Sequence, residues 1–171
     1  MDGSVTSGLL ETSASLRACV VRLGGEAFAL DVRSAVEVVV LDDITPVPRA
    51  SAHVLGVANL RGKVMPIVDA RPVLGLPGEP PGHGGVTGLV IRAGAWQVAV
   101  LVDAAEGLEA FGEVEPLPEG ERERFGRLAV GRLQRGTDVV TLLDATALLE
   151  ALRAGGRPSA PGQGEAADGA I

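Results

Sequence analysis

Between residues 16 and 143 the chain alternates short apolar runs with turn residues, at the spacing of strands rather than helices. Leucine-rich and β-branched stretches predict strands at 16–23, 27–32, 36–41, 54–60, 64–68, 87–93, 97–102, 107–111, 127–133 and 139–143. Gly24-Gly25 and Gly94-Ala95-Trp96 fall between consecutive runs, where short hairpin turns belong. The corner Asn59-Leu60-Arg61-Gly62 places a long cation beside a glycine that can take φ > 0. A helix is predicted over 145–153, with Leu148, Leu149 and Leu152 along one side. The whole pattern specifies a mainly β body with short helices.

The two halves of that pattern resemble each other. Cys19-Val20-Val21-Arg22-Leu23-Gly24 is echoed by Leu89-Val90-Ile91-Arg92-Ala93-Gly94 at an offset of 70 residues, Arg22 against Arg92. Arg61-Gly62-Lys63-Val64, leading to Asp69-Ala70 and Leu74, is echoed by Arg135-Gly136-Thr137-Asp138, leading to Asp144-Ala145 and Leu148. Matching Arg61 to Arg135 gives an offset of 74, so two copies of one β unit are expected. Asp69 and Asp144 are both read as helix N-caps. The Pro/Gly stretch 76–85 divides the copies. Residues 1–15 and 155–171 read as tails without periodicity, better described as disordered than folded.

Composition narrows the functions open to such a body. Aromatics are 2% of the chain, so base-stacking platforms for nucleic acid are not available. The net charge of −7 removes the electrostatic drive toward phosphate backbones or anionic lipid. Fourteen of the fifteen basic residues are arginine, with Lys63 the exception. Cys19 is alone, within an alternating apolar run, and reads as a small buried core residue in a reducing compartment. Met1-Asp2-Gly3-Ser4 lacks a basic n-region, and no apolar run nears the roughly 20 residues of a membrane span. A soluble, cytoplasmic protein without membrane insertion is expected.

Catalytic chemistry finds little purchase. His53 and His83 are not spaced with other ligands as a metal site requires, so no metal or cofactor is expected. No phosphate loop, nucleophile elbow or kinase signature occurs. Glu113, Glu115, Glu119, Glu121 and Glu123 alternate with prolines and arginines, as a solvated loop would. What stands out instead is Glu37, set among valines in Ala35-Val36-Glu37-Val38-Val39-Val40, where its carboxylate must face solvent or a partner. Arg61 suits recognition at an interface, or an internal bridge between the two halves through a carboxylate such as Glu37.

These elements, in this order, resemble the CheW family of adaptors: a first hairpin, a Val-x-Glu strand, a Val-Pro stretch at 44–48, the corner Gly56-Val57-Ala58-Asn59-Leu60-Arg61-Gly62, and Pro66-Ile67-Val68-Asp69. The likeness extends over about residues 17 to 153, through Val114-Glu115-Pro116-Leu117-Pro118 and the final strand and helix. It implies two intertwined five-stranded, SH3-like β-barrels. It implies a non-catalytic adaptor that binds the regulatory domain of the CheA-type histidine kinase and the cytoplasmic tip of methyl-accepting chemotaxis receptors within signalling arrays. By the same resemblance Glu37 and Arg61 contact partners and Gly56 supports the corner. A receptor-binding relative that has lost the kinase is the alternative within the family; a small enzyme is the alternative outside it.

Overall fold

A computed structural model describes residues 15–80 and 85–154; the two expected tails, save Ser15, and residues 81–84 lie outside this range. All ten expected strands form. In chain order they are β1 (Leu16–Leu23), β2 (Glu26–Asp31), β3 (Ala35–Leu41), β4 (Val54–Leu60), β5 (Lys63–Val68), β6 (Val86–Ala93), β7 (Trp96–Val102), β8 (Ala104–Phe111), β9 (Ala129–Arg135) and β10 (Asp138–Leu143). Three α-helices accompany them, α1 (Arg71–Leu74), α2 (Glu119–Phe125) and α3 (Ala145–Arg153), with a 3-10 turn at Gly126–Leu128.

The strands pair as two five-stranded sheets, ordered β8-β1-β2-β10-β9 and β3-β6-β7-β5-β4. Each sheet has one parallel contact, β2 with β10 and β5 with β7, and is otherwise antiparallel. Thus β1 and β2 complete a sheet whose other members come from the second half, and β6 and β7 complete one built from the first. The expected repeat is therefore present, with its two copies intertwined. Each sheet is then drawn into a barrel by one extra bridge. Thr45, beyond β3, pairs with Val57 of β4, and Glu115, beyond β8, pairs with Arg132 of β9.

Both faces of the central strands are buried, which explains their near-continuous apolar sequences. Ala18, Val20 and Ala29 join Phe111, Leu133, Val140 and Leu142 inside the first barrel. Val90, Ala99 and Leu101 join Leu41, Met65 and Ile67 inside the second. The opposite faces, including Val21, Phe28, Ile91 and Val100, meet in a third, larger core with α1 and α3. Phe28 and Phe125 stack edge to face there, with centroids 5.9 Å apart. Such a pair contributes about 0.5–1.5 kcal/mol beyond its area.

Three local expectations are corrected. Residues 119–125 form α2, not loop, because Phe125 anchors that segment in the shared core. Asp144 caps α3 by accepting from the Ala147 N–H at 3.0 Å, but Asp69 does not cap α1. Ala70 holds the cap position, and Asp69 instead accepts from the backbone and guanidinium of Arg71. Finally, Leu60 pairs with Lys63 as Arg135 pairs with Asp138, so the second offset is 75 and Arg61 corresponds to Gly136.

Candidate functional site

The Arg61 corner is a two-residue hairpin turn with both residues at positive φ, Arg61 at 54° and Gly62 at 80°. That is the turn whose twist matches the flanking strands, and its first position ordinarily goes to Asn, Asp or Gly. The second copy follows the rule, with Gly136 at φ 61°. Arginine here costs backbone strain that a glycine would avoid. The Asn59 carboxamide oxygen steadies the turn by accepting from the Gly62 N–H at 2.8 Å.

The strained arginine has a definite target. Its guanidinium donates two bonds to the Glu37 carboxylate, at 2.9 and 2.6 Å. The bonds to Glu37 and its charge raise the Arg61 pKa further above the ordinary arginine value. β3 and β4 are the two edges of the same sheet, so the pair spans the seam of the second barrel. It does not bridge the two barrels. The Arg61 side chain remains 78% exposed, and that of Glu37 31%.

The Glu37 carboxylate is partly exposed and bonds within the chain to Arg61, on the side of β3 opposite the exposed valines. A bulge between Ala35 and Glu37 shifts the register of β3 on β6. Glu37 then lies on the side of Val39 and Leu41, which line the second barrel, and Val36, Val38 and Val40 point outward. A one-residue slip reverses every side chain of a strand. Val40 is 63% exposed and Val38 45%. Both valine and glutamate can satisfy period two, so the sequence alone did not distinguish the two faces.

Val36 and Val38 of this stripe line one wall of a groove of about 400 Å³ between β3 of the second barrel and β8 of the first. Leu108, 53% exposed, stands on the facing wall, and Cys19 and Leu89 lie at its base. Burial raises the Cys19 thiol pKa. Sequence reasoning missed the valines and Leu108; their only signal was an apolar run too long for a half-exposed edge strand.

Gly56 lies away from this surface. It is buried, and a Cβ there would sit 2.3 Å from the Thr45 carbonyl oxygen. That carbonyl accepts from the Val57 N–H at 2.9 Å, and the Thr45 N–H donates to the Val57 carbonyl at 2.8 Å. Gly56 therefore admits the strand that closes the second barrel. Gly131 does the same in the first, where a Cβ would come 2.5 Å from the Glu115 carbonyl oxygen.

The first barrel carries a related charged clasp. Arg135 donates to Glu106 at 2.6 Å and to Glu109 at 3.0 Å, and Arg22 donates to Glu106 at 2.8 Å. The Arg135 and then the Arg22 bonds hold the Glu106 carboxyl below the usual carboxylate range. Glu106 and Glu109 lie on β8 as Glu37 lies on β3, so each barrel seam is crossed by an arginine from the hairpin that carries the opposite sheet edge, β9–β10 or β4–β5. Among the described residues no group of three or more His, Cys, Asp or Glu could hold a metal ion, and no helix is long and apolar enough to cross a membrane.

Comparison with known proteins agrees with the geometry. A chemotaxis protein CheW of Thermotoga maritima is 29% identical over 125 residues, 73% of this chain and 82% of that protein. A chemotaxis protein CheW of Rhizobium meliloti is 34% identical over 100 residues, 57% of this chain and 64% of that protein. The crystal structure of the scaffolding protein TtCheW from Thermoanaerobacter tengcongensis superposes with a TM-score of 0.70 at 22% identity, covering 80% of this chain and 94% of its own, and shares the fold. The family model of the CheW-like domain matches residues 17–153, from the second residue of β1 to the end of α3, and the chain belongs to that family.

Proposed function

We propose that this chain is a non-catalytic adaptor that couples methyl-accepting chemoreceptors to a CheA-type histidine kinase in the cytoplasm. The observation that carries the reading is the outward valine stripe of β3, ending at the strained Arg61–Glu37 clasp. An edge strand with three exposed valines is an aggregation hazard unless a partner covers it. The groove between β3 and β8 has the apolar walls that a helical receptor tip needs, with charges at its rim to fix register. Membership of the CheW-like family supports the same assignment, as do relatives named for chemotaxis.

Binding energy at such a surface comes from the apolar residues, and the charged rim sets specificity and encounter rate. The adaptor acts by holding receptor and kinase in one geometry, so it needs rigid faces and no reactive group.

The test is titration calorimetry of the full chain with a receptor cytoplasmic fragment and, separately, with the kinase regulatory domain. Binding to both is expected. Binding to the receptor fragment alone identifies a specialised relative without kinase contact, and binding to neither overturns the reading.

A further inference from the structure

The two copies differ at the junction between the barrels. Arg71 is almost fully buried, with its side chain 4% exposed. Its guanidinium donates to Asp69 at 3.2 Å and to Asp103 at 2.6 Å. Asp69 follows β5 of the second barrel, and its N–H donates to the His53 carbonyl at 2.8 Å. Asp103 stands where the chain leaves β7 of the second barrel and enters β8 of the first. Its other carboxylate oxygen accepts from Gly24 N–H at 2.8 Å, at the tip of the β1–β2 hairpin of the first barrel. The Asp103 N–H donates to the Arg22 carbonyl on the same hairpin, also at 2.8 Å. Gly24 packs so closely that a Cβ there would lie 2.9 Å from that of Leu76, just beyond α1.

The quasi-equivalent junction lacks the buried cation, although Asp144 N–H donates to the Leu128 carbonyl at 2.9 Å, as Asp69 does to His53, and Arg92 N–H donates to the Ser34 carbonyl at 2.9 Å. Thr146 occupies the repeat position of Arg71, and Arg33 that of Asp103. Among the described residues Arg33 pairs with Asp31, two residues away, and its side chain is 86% exposed. One junction is thus held by a buried cation shared between carboxylates; the other is held by the common apolar core, the Arg92–Ser34 backbone bond and the Arg153 guanidinium 3.7 Å over the Trp96 ring. Directional, desolvated bonds fix an orientation that apolar packing alone leaves adjustable.

We propose that Arg71, with Asp69 and Asp103, is a one-sided latch that sets the angle between the two barrels. Among the described residues the side-chain hydrogen bonds of Arg71 go to Asp69 and Asp103 and not to the groove, so it is a positioning residue. The walls of the groove belong to different barrels, so the latch also sets the groove width.

The test is a spin-label distance measurement between the barrels of the full chain. Nitroxides are placed at Val40→Cys of the second barrel and Val130→Cys of the first, in a Cys19→Ala background. One narrow distance distribution is expected for the parent. Arg71→Met is expected to broaden or shift it, and Asp103→Asn to do so less, because an asparagine oxygen still accepts from Gly24. Arg127→Ala, which removes an exposed ion pair with Glu150, is expected to leave it unchanged. Circular dichroism reports folding of each variant. If Arg71→Met fails to fold, Asp103→Asn decides the matter alone. A folded variant with the parental distribution overturns the proposal, as does loss of folding in both, which makes the network a brace of the fold.

Discussion

Arg61 and Glu37 are joined by two N–H···O bonds across strands that are not hydrogen-bonded neighbours. The arginine occupies a left-handed turn position that the second copy fills with Gly136. Strain kept at an exposed site, and relieved in the copy, points to a task for the side chain. Arg61→Gly is therefore expected to keep or slightly raise the melting temperature while weakening partner binding by about tenfold or more. Calorimetric binding beside thermal melting checks both halves. A large loss of stability would make Arg61 a structural brace.

The groove offers a second, independent probe. Val38→Asp on β3 and Leu108→Asp on β8 replace exposed apolar groups, so each should change folding stability by less than about 0.5 kcal/mol. Each is expected to abolish binding of the receptor fragment, because a charge in the apolar contact has no partner. Retained affinity in both variants would move the receptor site elsewhere.

Gly56→Ala is expected to behave in the opposite way. Its Cβ would meet the Thr45 carbonyl at 2.3 Å, so the barrel seam must open. A loss of about 2–4 kcal/mol in urea unfolding is expected, with binding reduced only through the folded fraction. Gly131→Ala is expected to match it in the first barrel.

Acid should loosen the first barrel through Glu106. Its folded-state pKa lies below the ordinary value of 4.5, so its contribution is complete above that value and disappears as pH falls through the lower one. Glu106→Gln is expected to be less stable than the parent at neutral pH, and the gap should close as the solution is acidified. Thermal melts across the acid range read this directly. A gap independent of pH would mean that the carboxylate charge is not what matters.

Cys19 is buried, and burial raises its thiol pKa. Alkylation by iodoacetamide at neutral pH is expected only after unfolding, since the thiolate is the reacting form. Rapid modification of the native chain would mean that the base of the groove opens.

The strand pattern was legible because each central strand buries both faces, leaving long apolar runs broken only by turn glycines. The repeat was legible for the same reason, although one slipped residue paired Arg61 with Arg135 and hid the equivalence with Gly136. The candidate site was harder to read. Residues Glu37, Gly56 and Arg61 were picked out, but a bulge decides which face of β3 each residue takes, and no local signal marks it. Period two alone admits either the valines or the glutamate on the barrel side of β3. Arg71 escaped notice because its second carboxylate, Asp103, lies 32 residues further along the chain.

The exchange of strands between the halves has a further consequence. Neither half holds a complete sheet, so the chain is in effect a domain-swapped pair tied end to end. Cutting the chain within 81–84 should leave two fragments that are each unable to close a barrel, yet able to reassemble when mixed. Folding must wait for distant segments to find each other, which makes it slow and strongly cooperative. The same interlocking means that force applied to one barrel is carried straight into the backbone of the other.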